Sequence, residues 1–101
     1  MNTYEDLCMS VQSIADIYGL VVEVNPMKNY SVKNTELSEF NVKCIKITFV
    51  NDLSLMQPEL SPRKYTYFLL PYDWKKFQKS KEDYDIFIEF LIARVKKNII
   101  Y

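Results

Sequence analysis

The sequence predicts an α+β fold: a three-stranded antiparallel sheet with an N-terminal helix and a long C-terminal helix packed on one face, in the order α-β-β-β-α-α. Apolar residues recur with the helical period near both ends of the chain, and β-branched and aromatic runs with a period of two lie between them. Helices that flank a group of strands are typical of this class. A chain of 101 residues is expected to form one domain over 1–101.

The first helix is predicted over residues 4–18. Thr3 precedes it as an N-cap, with Asp6 three residues later as in a capping box. Gly19 follows the last periodic residue, where a left-handed C-cap favours glycine. The apolar side chains share one helical face: Leu7, Val11, Ile14, Ala15 and Tyr18.

The first strand is predicted over residues 20–24, where β-branched residues dominate. Asn25 and Pro26 are expected to end it. Residues 27–38 are polar and are expected to form a long connection, which in a small domain is either functional or mobile.

The second strand is predicted over residues 40–50. Its apolar face switches between Cys44 and Ile45, which indicates either a β-bulge or a strand buried on both faces at that point. The following loop, 53–63, carries apolar residues that must cover the core or meet a partner, and we expect them to cover the core. They are Leu53, Leu55 and Met56.

The third strand is predicted over residues 64–70, with apolar side chains on both faces, a pattern that favours a central or doubly covered strand. A short helical turn follows over 73–78. Pro71 is expected to end the strand, and Asp73 is the predicted N-cap of that turn.

The last helix is predicted over residues 81–97. Ser80 and Asp83 have the spacing of a capping box. One apolar stripe contains Tyr84, Phe87, Ile88, Leu91 and Val95, and a second contains Ile86, Phe90 and Ala93. Two stripes predict a helix that is packed over most of its girth. The apolar tail, 99–101, is expected to dock on the domain.

Several classes of chemistry lack their residues. The chain has no histidine, which removes the commonest general base and most transition-metal sites. The single glycine excludes phosphate-binding loops of the P-loop and Rossmann types. Cys8 and Cys44 are too few for a zinc site and are expected to be buried thiols, with a disulfide as the alternative. We therefore expect no enzymatic activity, no cofactor and no metal.

The cellular compartment is expected to be the cytoplasm. No apolar run approaches the length of a membrane span, so no membrane partner is expected. The first residues lack the basic and apolar regions of a signal peptide. Residues 1–39 carry a net charge of −4 and residues 40–101 carry +4. These halves either meet and cancel in the fold or form a dipolar surface that meets a charged partner.

A protein-binding or inhibitor function is the first hypothesis, with the partner unidentified. The candidate surfaces are the 27–38 connection, the 53–63 loop and the sheet edge. The composition is rich in Lys, Asn, Ile and Tyr, which suggests an AT-rich phage or mobile-element genome. The order of one helix, three strands and further helices is similar to that of some small anti-CRISPR proteins, and this resemblance implies inhibition of a CRISPR nuclease.

Nucleic-acid binding is the second hypothesis, because the element order also resembles that of the double-stranded RNA-binding domain. In that family a basic cluster opens the final helix, and Lys75, Lys76, Lys79 and Lys81 occupy this position here. The family's glycines and its loop histidine are missing. The acidic residues that follow Lys81 also oppose phosphate binding.

A homo-oligomeric structural or accessory protein is the third hypothesis, because 15% aromatic residues exceed what a small core can bury. The chain is then a homodimer, and otherwise a monomer. Across these hypotheses the candidate partner-binding residues are Lys28, Tyr30, Lys33, Arg63, Lys64, Lys75, Lys76, Lys79 and Lys81.

Overall fold

The computed structural model describes residues 2–31, 41–51 and 63–100. Its elements are α1 (Tyr4–Tyr18), β1 (Val21–Ser31), β2 (Asn41–Asn51), β3 (Arg63–Leu69), α2 (Pro71–Lys79) and α3 (Lys81–Val95), followed by a π-helical turn, Lys96–Ile100. The strands form an antiparallel sheet in the order β1-β2-β3. This confirms the predicted α+β fold and its α-β-β-β-α-α order.

The helices pack against one face of the sheet, which we call the inner face. Ile47 of β2 lies at its centre, paired with Val24 of β1 on one side and with Tyr67 of β3 on the other. The core contains side chains from α1, the sheet and α3, together with Leu20 before β1 and Ile99 of the C-terminal turn. Only Tyr84 among them carries a hydroxyl: Leu7, Val11, Ile14, Ala15, Leu20, Ile45, Ile47, Phe49, Leu69, Tyr84, Phe87, Leu91, Val95 and Ile99.

The predicted bounds and caps of α1 are confirmed. The Thr3 hydroxyl accepts a hydrogen bond from the Asp6 N–H, and the Asp6 carboxylate accepts one from the Thr3 N–H at 2.8 Å. Gly19 ends the helix in the left-handed conformation, with φ 66°. These caps occupy backbone groups that a helix leaves unpaired at its ends.

The first strand is longer than predicted, because it continues through Asn25 and Pro26 to Ser31. Within the described sheet β1 pairs only with β2, so it is an edge strand, where a residue without an N–H is tolerated. The predicted connection over 27–38 is therefore wrong for 27–31. Residues 32–38 lie outside the described residues.

The switch of apolar faces in β2 arises because the strand is buried on both faces at that point, and not from a β-bulge in β2. Cys44 and Ile45 are both buried, and the strand keeps its register through both residues. The irregularity of the ladder lies instead on β1, between Met27 and Tyr30. Phe40, the predicted first residue of this strand, is outside the described residues.

Among the described strands β3 pairs only with β2, so the first of the two predicted alternatives, a central strand, is wrong. Phe68 on the outer face is exposed, so the second alternative, cover on both faces, is wrong at that residue. The sheet is a meander, so β2 is its middle strand. Of the predicted loop over 53–63 only Arg63 is described, and it begins β3. Its apolar residues Leu53, Leu55 and Met56 lie outside the described residues.

The short helix α2 begins two residues earlier than predicted. Pro71 is its first residue rather than the break before it, because the missing N–H and fixed φ of proline suit this position. Asp73 lies in the first turn and is not the N-cap. At the other end the Asn2 side-chain amide donates to the Phe77 carbonyl at 3.0 Å, and the Asn2 N–H donates to the Gln78 carbonyl.

The long helix α3 is capped as predicted, with the Ser80 hydroxyl accepting from the Asp83 N–H. Four residues of the first apolar stripe are buried: Tyr84, Phe87, Leu91 and Val95. The second stripe is exposed, since Ile86 is 57% and Phe90 38% accessible. The prediction of packing over most of the girth is therefore wrong. In the predicted tail Ile99 is buried as expected, whereas Ile100 is exposed, so the docking prediction is confirmed for Ile99 only.

Tyr84 joins α3 to α1. Its hydroxyl lies 2.6 Å from the Ser10 hydroxyl and 3.2 Å from the Asp6 carbonyl oxygen.

Both cysteines are free thiols: Cys44 is buried as expected, whereas Cys8 is partly exposed. Among the described residues, no helix has the length and apolar character needed to cross a membrane.

Replacing Asn2 with Ala should loosen α2. The substitution leaves a part-buried carbonyl without its side-chain donor, so we expect a loss of about 1 kcal/mol in unfolding free energy. Amide hydrogen exchange should accelerate more in α2 than in α1. Gln12→Ala is the matched control, because it removes an exposed side-chain bond to Asp16 and should change little. Equal effects of the two substitutions would contradict this role for Asn2.

Replacing Tyr84 with Phe should destabilise the fold by about 1–2 kcal/mol, because it removes a hydroxyl that hydrogen-bonds between two helices. Urea unfolding measures the loss. Tyr72→Phe, on a ring that is 81% exposed, is the control and should be neutral. A neutral Tyr84→Phe variant would show that the hydroxyl contributes nothing to the docking of α3.

The contribution of Tyr84 should also fall at alkaline pH. Burial raises the pKa of its phenol, although the hydrogen bond with Ser10 lowers it. The folded state therefore favours the neutral phenol, and this stabilisation is complete below the ordinary tyrosine pKa of about 10. As the pH rises from there through the folded-state pKa, the stability gap between the wild type and Tyr84→Phe should shrink. A gap that widens would contradict the assigned direction.

Candidate functional site

A groove lies at the end of the sheet where β3 stops and α2 begins. It has a volume of about 510 Å³. We call it the apolar groove, and its lining residues are Pro26, Met27, Cys44, Ile45, Leu69, Pro71 and Trp74. None of these side chains carries a charge.

The groove exists because the strands end at different places. Leu69, the last residue of β3, pairs with Ile45, so the β1–β2 ribbon extends past the end of β3. The chain then turns into α2, whose first turn places Pro71 and Trp74 opposite that ribbon. Leu69 and Ile45 are buried members of the core, while Trp74 remains partly exposed.

The lining offers little for catalysis. Its one nucleophilic group is the Cys44 thiol, which is only 4% exposed. Burial raises the pKa of this thiol, and the nearby Lys46 ammonium only opposes that rise. A raised pKa favours the unreactive thiol over the nucleophilic thiolate. Cys44 therefore acts as an apolar wall of the groove.

A second groove lies on the other side of α2, between α2, α3 and β3. It has a volume of about 300 Å³, and we call it the aromatic groove. Phe77 and Phe87 stack at a centroid distance of 4.6 Å, and Tyr67 contacts Phe90 edge-on at 5.8 Å. Lys76 and Asp83 also line this groove, so it contains one charge of each sign.

A polar hollow of about 420 Å³ separates α1 from the start of α3. Lys81 lines it together with five side chains that carry a carboxylate or hydroxyl group: Asp6, Ser10, Ser13, Tyr84 and Asp85. The hydroxyl of Ser10 already bonds to Tyr84. Among the described residues no group of three or more His, Cys, Asp or Glu side chains has an arrangement that could hold a metal ion.

The lysines of the predicted basic cluster lie on exposed positions of α2 and at the start of α3, but they do not line one site. Lys76 lines the aromatic groove, whereas Lys81 lines the polar hollow. Lys75 and Lys79 are exposed on α2 and line none of these three depressions. Each lining lysine also has an aspartate in the same depression.

The other predicted site residues are scattered. Arg63 begins β3 and donates from Nη1 to the Ile99 carbonyl at 3.3 Å. Lys64 follows it and points to the opposite face of the strand. Lys28 and Tyr30 belong to β1, and their side chains are not described. Lys33 lies outside the described residues.

The sequence does not predict the apolar groove, because Pro26 and Pro71 are both expected there to end a strand. Pro26 continues an edge strand, and Pro71 opens a helix. Proline is over-represented at the first position of a helix, and Asp73 supplies the acidic residue that is typical of a first turn. That signal was available in the sequence, but the convergence of the two prolines on one groove required the fold.

Comparisons of this chain with protein-family models, with curated proteins and with solved structures find no match.

Proposed function

We propose that this protein is a non-catalytic binding module whose apolar groove takes a short apolar segment of a partner protein. The groove itself is the observation that supports the proposal: about 510 Å³ lined by uncharged, mainly apolar side chains. Binding energy at protein interfaces concentrates where apolar and aromatic anchors fill such pockets. Trp74, which lines the groove and is partly exposed, is a side-chain type enriched at these positions.

A protein segment fits the lining better than a small metabolite does. Small-molecule sites orient their ligands with a few well-placed polar groups. The side chains here offer only the Trp74 indole and the buried Cys44 thiol. An apolar side chain of a partner needs no such groups, and its transfer from water supplies roughly 25 cal/mol for each Å² buried.

Nucleic-acid binding receives less support. Phosphate recognition requires cations that converge along one path. The apolar groove has none, and Lys76 and Lys81 line separate depressions, each beside an aspartate. Inhibition of a nuclease, which the resemblance to anti-CRISPR proteins implies, would be one form of the protein-binding function proposed here.

Selection of short random peptides on the immobilised protein tests the proposal. We expect enriched peptides with apolar anchor residues, and their binding should change the emission of Trp74, the only tryptophan in the chain. Met27→Lys places a charge in the groove and should weaken binding by about tenfold or more, equivalent to about 1.4 kcal/mol.

The control variant is Tyr72→Ala, which removes an exposed aromatic ring from the same helix as Trp74 but does not line the groove. It should leave peptide binding unchanged. Circular dichroism should show that both variants are folded. Peptides that bind Met27→Lys as tightly as the wild type would refute the groove as the site. Salt-sensitive retention of double-stranded RNA would instead favour the lysines.

A further inference from the structure

The β3 edge of the sheet differs from the β1 edge. On the β1 side, Pro26 interrupts the row of donors, and the Tyr4 hydroxyl of α1 lies 3.5 Å from the Val24 carbonyl oxygen. On the β3 side, residues 63–67 contain neither proline nor glycine, and no described strand pairs with them on the side away from β2. An edge without such obstacles is a template for another strand.

An apolar surface lies beside this edge on the inner face. Ile86 and Phe90, the exposed stripe of α3, lie next to β3, because the Phe90 ring contacts Tyr67. The Arg94 guanidinium lies 5.1 Å above the Phe90 ring. Aromatic side chains and arginine are both enriched at protein interfaces.

Charges of opposite sign lie toward the two ends of β3. Arg63 is its first residue, and Arg94 lies near Tyr65, where its charge opposes the rise in the tyrosine pKa that burial causes. Near the other end, Asp73 adds to the burial-driven rise in the pKa of Tyr67. Asp83 lines the groove beside Tyr67 too, and Lys76 in that groove offsets one of these acids.

The charges at the two ends of β3 are complementary between two copies of the chain. When a second copy of the strand runs antiparallel along the first, the cationic end of each copy meets the acidic end of the other. A two-fold axis repeats the contact twice, as a closed dimer requires. Parallel pairing would instead align cations with cations, which costs energy at an interface.

We propose that the edge of β3, together with Ile86 and Phe90, is a dimerisation surface on which a second copy of this chain pairs its own β3 antiparallel. Two three-stranded sheets then join into one sheet of six strands. This surface is separate from the apolar groove, so the dimer does not depend on the proposed binding function.

Sedimentation equilibrium over a range of concentrations tests the proposal. The wild type should reach twice the 12.1 kDa mass of the chain. Ile86→Lys should raise the dimer dissociation constant at least about tenfold. The matched control is Ile17→Lys, because Ile17 is a similarly exposed isoleucine, 70% accessible, on α1. It should leave the constant unchanged.

Charge reversal gives a second test that does not rely on the apolar stripe. Arg94→Glu should weaken the dimer, and adding Asp73→Lys should restore part of the lost affinity, because the reversed ends complement each other again. Amide exchange should slow as the concentration rises at alternate residues within 64–67, those whose N–H groups point away from β2, since strand pairing protects only these amides.

A mass of 12.1 kDa at every concentration would overturn the proposal. Equal effects of Ile86→Lys and Ile17→Lys would do so as well. So would a dimer that tolerates Ile86→Lys but is lost in Met27→Lys, because it would use the apolar groove. Loss of peptide binding with an intact dimer would contradict only the proposed function.

Discussion

Burial of the inner face of β2 is the constraint on which the rest of the structure depends. Ile47 and Phe49 are fully inaccessible to solvent, and both β1 and β3 pair with these two residues of β2. Each buried side chain of this size contributes roughly 1.5–3 kcal/mol relative to an exposed one. The helices must cover this row, and α1 and the buried stripe of α3 do so. This geometry also determines which apolar surfaces stay uncovered. The helix α3 has more apolar residues around its circumference than the sheet can cover, so Ile86 and Phe90 are exposed. The strand β3 is shorter than the β1–β2 ribbon, which leaves the apolar groove at its end.

Local signals fixed the parts of the fold that local chemistry determines. The capping residues Thr3 and Ser80 and the terminal Gly19 satisfy backbone groups within a few residues of themselves, so their roles can be predicted without knowing the partners of the helix. The order of elements follows from periodicity in the same way. Predictions that depended on neighbours were less successful: Pro26 is tolerated only because β1 is an edge strand, and a single sequence does not show which strands are edges.

The candidate site could be predicted from the sequence less well than the fold. An apolar residue at helical spacing has the same pattern whether it meets the core, as Phe87 does, or solvent, as Ile86 does. The lysines near the start of the last helix lie within seven residues of sequence, yet Lys76 and Lys81, on either side of the turn between α2 and α3, line different depressions. The apolar groove combines residues from four elements, and its existence depends on where β3 ends, which composition does not encode.

The two proposed surfaces have a joint consequence for binding. The groove begins at Leu69, about 13 Å along the strand from Tyr65 near the middle of β3, at roughly 3.3 Å per residue. A two-fold axis near that middle would therefore place two grooves at opposite ends of the paired strands, on the order of 25 Å apart. A partner that presents two apolar segments at this separation would bind the second intramolecularly, and its overall affinity would exceed that of either contact alone. Dimerisation would thus convert a shallow groove with few polar contacts into a selective one, because a partner with a single segment gains no such advantage.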